Sequence, residues 1–201
     1  NELGDLRKIQ VQYLQGWLTT NLEKTGHKQA SWRVDPEKSG IGGALGDIGT
    51  HAENLVHYIT GLKLKEVAAD LGKFGEGRAL DDDGNLLLRL ENGAKGTMSF
   101  SQIAVGEENN LAIRVYGDKG SLTWQQENPN QLIIKWLDKP AQTFTPNSSK
   151  LYEEALAASR IPAGHPEGYL EAFANIYKNF ATHLKAKLDN LNLEDIDYPT
   201  V

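Results

Sequence analysis

The chain has 201 residues and a formal net charge of −6 at pH 7, with 39% hydrophobic and 24% charged residues and no cysteine. This length and composition suit one globular domain with a sizeable core; the acidic balance argues against a nucleic-acid surface, and the missing cysteine excludes disulfides, thiolate catalysis and thiolate metal sites. No apolar run is long enough to span a bilayer, and the first residues lack the pattern of a signal peptide, so we expect a cytoplasmic protein.

The first predicted element is a strand over residues 6–14, where apolar residues alternate with glutamines. Residues 15–46 show no sustained period and are predicted to form a long connection, a kind of segment that is usually functional or disordered. Trp17 and Trp32 indicate that this connection is ordered, because indole rings are unfavourable in water. A helix is then predicted over about residues 48–60, with an apolar stripe along one side.

A series of short strands with tight turns follows this helix. Asn92-Gly93 is the strongest hairpin signal in the chain, and the short connections predict a largely antiparallel sheet. The acidic run 81–83 is predicted to be a solvated turn and not a calcium loop, because the ligand spacing of a calcium loop is absent. The predicted strands cover residues 62–74, 85–91, 94–104, 110–116, 121–126 and 131–137.

A second long helix is predicted from Pro166, after a polar stretch that begins at Pro140. Proline in the first turn and lysines near the last turn are typical of helix ends. Aromatic and aliphatic residues recur at helical spacing between Tyr169 and Phe180, so we expect this stripe to lie in the core or in a helix interface. The sequence shows no internal repeat and no linker that would divide it.

The most informative segment covers residues 42–61, GGALGDIGTHAENLVHYITG. Its glycines allow close approach of backbone or ligand, and Asp47 and His51 stand at positions i and i+4, so they are neighbours on one helical face. Such a pair can support acid–base chemistry, but an N-capping aspartate beside a packed histidine has the same spacing. It can also seed a metal site; nothing nearby supplies a third and fourth ligand, so we predict no metal.

This segment resembles the second-domain signature of the Gfo/Idh/MocA oxidoreductases, in which GG-x-x-x-D-x-G-x-H opens a helix. SWRVDP at 31–36, GDKGS at 117–121 and the closing DYPTV fit the same family in the same order. The resemblance covers nearly the whole chain. It implies an α+β fold with a large, mostly antiparallel open sheet and helices packed on one face.

Two features of complete family members are missing from the sequence. No G-x-G-x-x-G follows a strand and opens a helix, as dinucleotide binding needs, and GKFGEG at 72–77 has the wrong glycine order. The E-K-P motif that carries the family's catalytic lysine is also absent. Residues 1–201 are therefore interpreted as the C-terminal substrate-binding and oligomerisation domain of a longer enzyme, whose NAD or NADP is bound mainly by an N-terminal Rossmann domain absent from this chain.

The resemblance implies an NAD(P)-dependent dehydrogenase or reductase that acts on a hydroxyl or keto group of a sugar, inositol or related polyol. Matched position by position, His51 is the base that takes the hydroxyl proton, and Asp47 orients its ring and stabilises the imidazolium. The fragment alone is expected to be inactive. Two alternatives are a non-catalytic carbohydrate-binding or assembly module, and a lyase or epimerase of the same family that recycles its cofactor.

Four further residues are candidates for the substrate pocket. Gln15, Trp32 and Arg33 offer the planar hydrogen-bonding groups and the aromatic face that sugars require, and His165 stands where related enzymes place a pocket residue. The alternatives are loop packing for Trp32, pairing with nearby carboxylates for Arg33, and an exposed loop position for His165. The predicted partners are a small sugar or polyol and further copies of the chain, with no nucleic acid and no membrane.

A homo-oligomer is expected to form through the exposed face of the sheet, as is common in this family. Alternate strand positions share one face. Leu86, Leu88 and Leu90 are apolar enough to build such an interface, so we expect these three side chains on the open face.

Overall fold

The computed structural model describes residues 2–148 and 151–191, so the closing DYPTV stretch lies outside the described residues. The strands, in chain order, are β1 (Leu6–Leu14), β2 (Leu64–Gly72), β3 (Asp83–Leu90), β4 (Lys95–Ser101), β5 (Asn110–Gly117), β6 (Gly120–Gln125), β7 (Leu132–Trp136) and β8 (Gln142–Phe144). The helices are α1 (Lys28–Arg33), α2 (Pro36–Ser39), α3 (Thr50–Thr60), α4 (Glu153–Ala158) and α5 (Tyr169–Leu188). A 3-10 turn covers Leu22–Thr25, and a π-helical turn covers Leu45–Gly49.

Within the described residues the strands form one open sheet in the order β2-β3-β4-β1-β5-β6-β7-β8. β1 and β4 run parallel, and the other neighbouring pairs from β2 to β7 are antiparallel. The turn between β3 and β4 contains Gly93 in a left-handed conformation, at φ 88°, which is the reason for the glycine there. The predicted α+β fold with a mostly antiparallel open sheet is confirmed.

The core lies between α3 and one face of the sheet. Val56 of the helix is buried in the same cluster as Phe100 of β4 and Ile113 of β5. Strand periodicity places every second residue on this face, and full burial of each large side chain contributes about 1.5–3 kcal/mol. Gly61 ends α3 in a left-handed conformation, at φ 68°, as helix C-termini commonly do.

The three leucines expected on the open face of the sheet lie in this core instead. Leu86, Leu88 and Leu90 are buried in the cluster that α3 covers. The alternate positions of β3 face outward, and Leu87 is 65% exposed. This part of the oligomer prediction is wrong, because strand periodicity indicates which residues share a face but not which face a helix covers.

Residues 15–46 contain helical structure where the sequence predicts only a connection. α1, α2 and the 3-10 turn are too short to show a sustained hydrophobic period. His27 caps α1 by accepting a hydrogen bond from the Ala30 N–H at 3.2 Å. Asp35 caps α2 by accepting one from the Glu37 N–H at 3.0 Å. These caps satisfy backbone donors that helices of this length leave unpaired.

The acidic run 81–83 is not a solvated turn, so that prediction is wrong. Asp81 and Asp82 are buried, and Asp83 begins β3. Burial of a carboxylate is tolerated only when hydrogen bonds or opposite charges compensate for the lost hydration. Asp81 accepts hydrogen bonds from backbone N–H groups far away in the chain, and Asp82 accepts them from the nearby Phe74 N–H and the Arg78 guanidinium.

The chain divides into two compact units, residues 1–128 with 133–142 and residues 129–132 with 143–201. In the second unit, α5 begins shortly after Pro166. Its aromatic and aliphatic side chains, including Phe173, Tyr177 and Phe180, are exposed. The stripe therefore does not lie in a core of the described residues, and the alternative of a helix interface stays a prediction. Over these residues no helix combines the length and the apolar character that crossing a membrane requires.

Candidate active site

The glycine-rich loop before α3 is held by a buried carboxylate that precedes β3. Asp81 Oδ1 accepts a hydrogen bond from the Gly43 N–H at 2.9 Å, and Oδ2 accepts one from the Leu45 N–H at 2.7 Å. The backbone carbonyl of Asp81 accepts a third from the Ala44 N–H at 2.8 Å. N–H groups at a helix start lack partners within the helix, and a carboxylate is favourable there. The backbone that carries the candidate catalytic pair is thereby fixed.

Replacing Gly43 with alanine is expected to lower the thermal midpoint by several degrees. A Cβ at this position would lie 2.0 Å from the backbone oxygen of Asp81. Relief of such a clash costs about 1–3 kcal/mol, at about 2–4 °C of midpoint per kcal/mol. Gly46→Ala is the matched control, because a Cβ there meets nothing within 4 Å and should not destabilise. Equal midpoints for the two variants would contradict this account of the loop.

Asp47 and His51 lie on the two sides of the junction between the π-helical turn and α3. Helical structure begins at Leu45, earlier than the predicted start near residue 48. A π-helical turn contains more residues than an α-helical one, and such turns recur at functional sites. The turn therefore changes the angle between side chains at i and i+4 from the value that an ordinary helix gives.

The Asp47 carboxylate receives two hydrogen bonds on the same oxygen. Arg33 Nε donates to Oδ2 at 2.9 Å, and Gln102 Nε2 donates to Oδ2 at 2.7 Å. Arg33, the charged partner, is half-buried, so its charge-assisted hydrogen bond to Asp47 is stronger than the same bond in open water. In the described part of the chain, the carboxylate bonds to these two groups and not to His51. The predicted orientation of the His51 ring by a hydrogen bond from Asp47 is therefore not observed in these residues.

His51 lines the same pocket as Asp47 and packs beside Tyr13. The two rings meet edge-on, with 6.1 Å between centroids and an interplanar angle of 68°. The pocket has a volume of about 470 Å³, within the range of small-molecule sites. The other residues that line it are mostly polar or aromatic: Gln15, Trp17, Arg33, Ile48, Glu108 and Asn109.

A second hydrogen-bond network in the pocket is centred on Asn109, the residue before β5. Its Oδ1 accepts hydrogen bonds from the Tyr13 hydroxyl at 2.6 Å and from Gln15 Nε2 at 3.1 Å. Gln15 Oε1 in turn accepts one from Trp17 Nε1 at 3.1 Å. These bonds use the oxygen of Asn109, and its amide nitrogen is a further donor. The network presents hydroxyl and amide groups of the kind that bind polyol hydroxyls.

Tyr13 is expected to ionise only above its ordinary pKa of about 10. Burial raises the pKa of Tyr13, a hydrogen bond with Gln126 lowers it in part, and the charge of Asp47 raises it. The neutral phenol thus contributes stability below about pH 10 that is lost as the pH rises through the raised pKa. The ultraviolet tyrosinate titration of Tyr13→Phe, subtracted from that of the unmodified protein, gives the transition. A midpoint at or below pH 10 would contradict the expectation.

The structure brings two of the four predicted substrate residues to this pocket. Gln15 and Arg33 line it. Trp32 lies outside the lining: its N–H donates to Gln29, and its ring lies 4.2 Å from the Arg33 guanidinium carbon, which it supports. His165 belongs to the second unit, where it is exposed and its Nδ1 lies 3.2 Å from the Pro162 oxygen; its role in binding stays a prediction.

Several residues of the site escape sequence reasoning. Tyr13 and Trp17 stand two positions either side of Gln15, so the strand period that continues past β1 could have indicated them. Gln102 and Asn109 have no such signal. Gln102 follows β4 and Asn109 precedes β5, and the local sequence pattern does not show that these strand ends lie close together. They reach the site through the pairing of β4 and β5 with β1.

A buried ion-pair network supports the segment that follows Trp17. Arg78 donates to the Leu18 carbonyl oxygen at 2.7 Å, to Asp82 at 3.1 Å and to Glu23 at 3.0 Å. The Asp82 carbonyl oxygen accepts a hydrogen bond from the Gln102 N–H. The network therefore joins the pocket segment, the start of β3 and the end of β4.

A family model described as the GFO/IDH/MocA C-terminal domain matches residues 1–123. The uncharacterized oxidoreductase YfiI of Bacillus subtilis (strain 168) is 36% identical to this chain, over 97% of the chain and 52% of that protein. Levoglucosan dehydrogenase of Pseudarthrobacter phenanthrenivorans is 27% identical, over 69% of the chain and 40% of that protein. The chain thus spans about half the length, or less, of these relatives.

Solved structures resemble the chain over nearly its whole length. An inositol dehydrogenase homolog from Azotobacter vinelandii, complexed with NAD⁺, superposes with a TM-score of 0.91 at 35% identity, covering 98% of this chain and 52% of that one. The same homolog complexed with NADH and myo-inositol gives a TM-score of 0.87 at 34% identity, covering 98% of this chain and 51% of that one.

Proposed function

We propose that this chain, which belongs to the Gfo/Idh/MocA family of oxidoreductases, is the substrate domain of an NAD(P)-dependent enzyme acting on a sugar, inositol or related polyol. The observation that carries the proposal is the pocket where Asp47 and His51 meet an amide and aromatic lining. Relatives named as dehydrogenases, and one solved with myo-inositol, support the substrate class. The reaction interconverts a hydroxyl and a keto group.

The residues of this chain move the proton of that reaction. His51 accepts the proton of the substrate hydroxyl as the carbon–hydrogen bond breaks, a role suited to an imidazole near neutral pH. Asp47 shares the pocket, so its charge favours the imidazolium that forms, although no hydrogen bond joins the two side chains in the described structure. Tyr13 limits the space beside the ring. Groups placed in this way lower the barrier by positioning and by electrostatics.

The nicotinamide, when bound, supplies the acceptor or donor of hydride. The glycine-rich helix start does not fit the cofactor's pyrophosphate, because the N–H groups of Gly43 and Leu45 are bound to Asp81. We therefore assign the phosphate contacts of NAD or NADP to residues outside this chain. In ranges 2–148 and 151–191 no three histidine, aspartate or glutamate side chains are grouped to hold a metal. A cytoplasmic location stays a prediction from the sequence.

The test is turnover by the full-length protein. Purified protein is incubated with NAD⁺ or NADP⁺ and single polyols, beginning with myo-inositol and levoglucosan, and reduced cofactor is followed by absorbance. Polyol-dependent formation of reduced cofactor supports the proposal. Product formation without net reduced cofactor indicates the recycling lyase or epimerase instead. Saturable polyol binding without any product would contradict the enzymatic proposal.

A non-catalytic carbohydrate-binding module on the same fold is the second candidate. The observation in its favour is that Asp47 bonds to Arg33 and Gln102, so the pair is not coupled by a direct hydrogen bond. A pocket with these groups can bind hydroxyls without chemistry. Substitution of His51 separates the two candidates. If the chain is part of an enzyme, the variant loses turnover and still binds the polyol, whereas a binding module has no turnover to lose.

The proposed homo-oligomer uses the open face of the sheet, the face opposite α3. A concave region of about 560 Å³ on this face includes Gln10, Leu87, Thr97 and Arg114. Leu87→Glu is expected to shift sedimentation of the full-length protein toward the monomer, because an unpaired charge in a buried interface is unfavourable. Lys73→Glu, an exposed change outside the lining, is the control. An unchanged sedimentation coefficient for Leu87→Glu would contradict the assignment.

A further inference from the structure

Gln102 is a buried residue whose backbone N–H and C=O groups both form hydrogen bonds. It is 2% exposed and follows directly after β4. The Gln102 N–H donates to the Asp82 oxygen at 2.9 Å, and the Gln102 carbonyl accepts from the Leu18 N–H at 2.9 Å. The side chain therefore starts from a fixed backbone, and its amide reaches Asp47 Oδ2 at 2.7 Å.

The orientation of this amide follows from the chemistry of its partner. A carboxylate only accepts hydrogen bonds, so the nitrogen of Gln102 must face Asp47. Arg33, the other partner, is half-buried and held by the side chain of Gln29 at 2.6 Å. Asp47 Oδ2 accepts both hydrogen bonds, so Oδ1 is still able to accept a hydrogen bond from a ligand.

We propose that Gln102 is a positioning residue, which holds the Asp47 carboxylate so that its other oxygen accepts a hydrogen bond from a second hydroxyl of the substrate, beside the one whose proton His51 takes. The inference rests on the proposed function. Arg33 alone could not fix the orientation of the Asp47 carboxylate, because a single donor leaves the side-chain torsions of an aspartate free to adjust. A second, buried donor on the same oxygen fixes the direction of the carboxylate plane.

The first test is Gln102→Leu in the full-length protein. The change keeps side-chain volume but removes the donor, so kcat is expected to fall about 10- to 100-fold, the loss typical of a misplaced catalytic group. KM should change less than kcat, because the lining residues other than Asp47 keep their contacts. Gln131→Leu, at an exposed position, is the control. The thermal midpoint of each variant, measured alongside, shows whether it is folded.

The second test uses Gln102→Glu and does not depend on lost packing. Two carboxyl groups at hydrogen-bond distance share a proton, which raises the pKa of the pair. Below that pKa the introduced carboxyl donates to Asp47 as the amide does, and above it the two charges repel. The ratio of variant to wild-type kcat is therefore expected to be near 1 in acid. It should fall at least about tenfold as the pH rises, because repulsion then displaces the Asp47 carboxylate. Gln131→Glu adds the same charge and should show a flat ratio.

The outcomes separate this inference from the proposed function. A wild-type protein without polyol turnover overturns both. An active wild type with an unchanged kcat in Gln102→Leu, or with a flat pH ratio in folded Gln102→Glu, overturns the role of Gln102 and leaves the proposed function standing. A lower kcat in Gln102→Leu, together with a kcat of Gln102→Glu that returns to the wild-type value in acid, supports both the role of Gln102 and the proposed function.

Discussion

Replacing His51 with asparagine in the full-length protein is expected to lower kcat by about 10²- to 10⁴-fold, the contribution typical of a general base. The asparagine amide fills similar space and hydrogen-bonds a hydroxyl, but it does not accept the proton. Polyol binding should therefore survive while turnover is lost. Turnover is measured by formation of reduced cofactor, and binding by calorimetry with the same polyol.

His57→Asn is the matched control on the same helix. This histidine is exposed, and its Nδ1 lies 3.2 Å from the Leu62 carbonyl oxygen, away from the pocket lining. Its substitution should leave kcat unchanged. If His51→Asn also keeps wild-type kcat, the proton is moved by another group and the assignment of the base is wrong.

Replacing Arg78 with methionine is expected to destabilise the protein by about 3–5 kcal/mol, because it leaves a buried carboxylate without its opposite charge. The side chains of Arg78 and Asp82 are each 2% exposed. Methionine keeps the apolar volume of the stem but none of the donors that reach Glu23 and the Leu18 carbonyl oxygen. Denaturant or thermal unfolding gives the change in free energy.

Arg89→Met is the matched control for this prediction. Arg89 pairs with Glu66 at 3.2 Å, but their side chains are 54% and 61% exposed. Exposed pairs contribute about 0–1 kcal/mol, so the control should unfold almost as the wild type does. Similar losses for both variants would show that burial of the Arg78 network is not what stabilises it.

The loss in Arg78→Met should also depend on pH. Burial by itself raises the pKa of Glu23, but the hydrogen bond and charge of Arg78 outweigh it, so that the pKa is lowered overall. A carboxylate with a lowered pKa contributes stability above its unfolded pKa and loses it as the pH falls through the folded one. The difference in stability between wild type and variant is therefore expected to narrow in acid. A gap that widens as the pH falls would contradict this account.

Elements with a clear period or turn signal could be predicted from the sequence. The strands around Asn92-Gly93, the helix that ends at Gly61 and the glycine-rich motif all have local causes. The short helices of residues 15–46 could not, since each is defined by a cap and not by a period. Local propensity also says nothing about the π-helical turn at Leu45–Gly49.

The sequence by itself indicated the mostly antiparallel sheet, because periodicity and turn signals are properties of neighbouring residues. The candidate pair, Asp47 and His51, came from the resemblance of one continuous segment to a family motif. Only the tertiary structure decided which groups surround and support that pair. Asp81, Gln102 and Asn109 reach the site through strand pairing and loop contacts between residues far apart in the chain. Burial of Asp81 likewise depends on backbone donors far away in the chain, and hydrogen-bond partners of this kind exist only once the chain has folded.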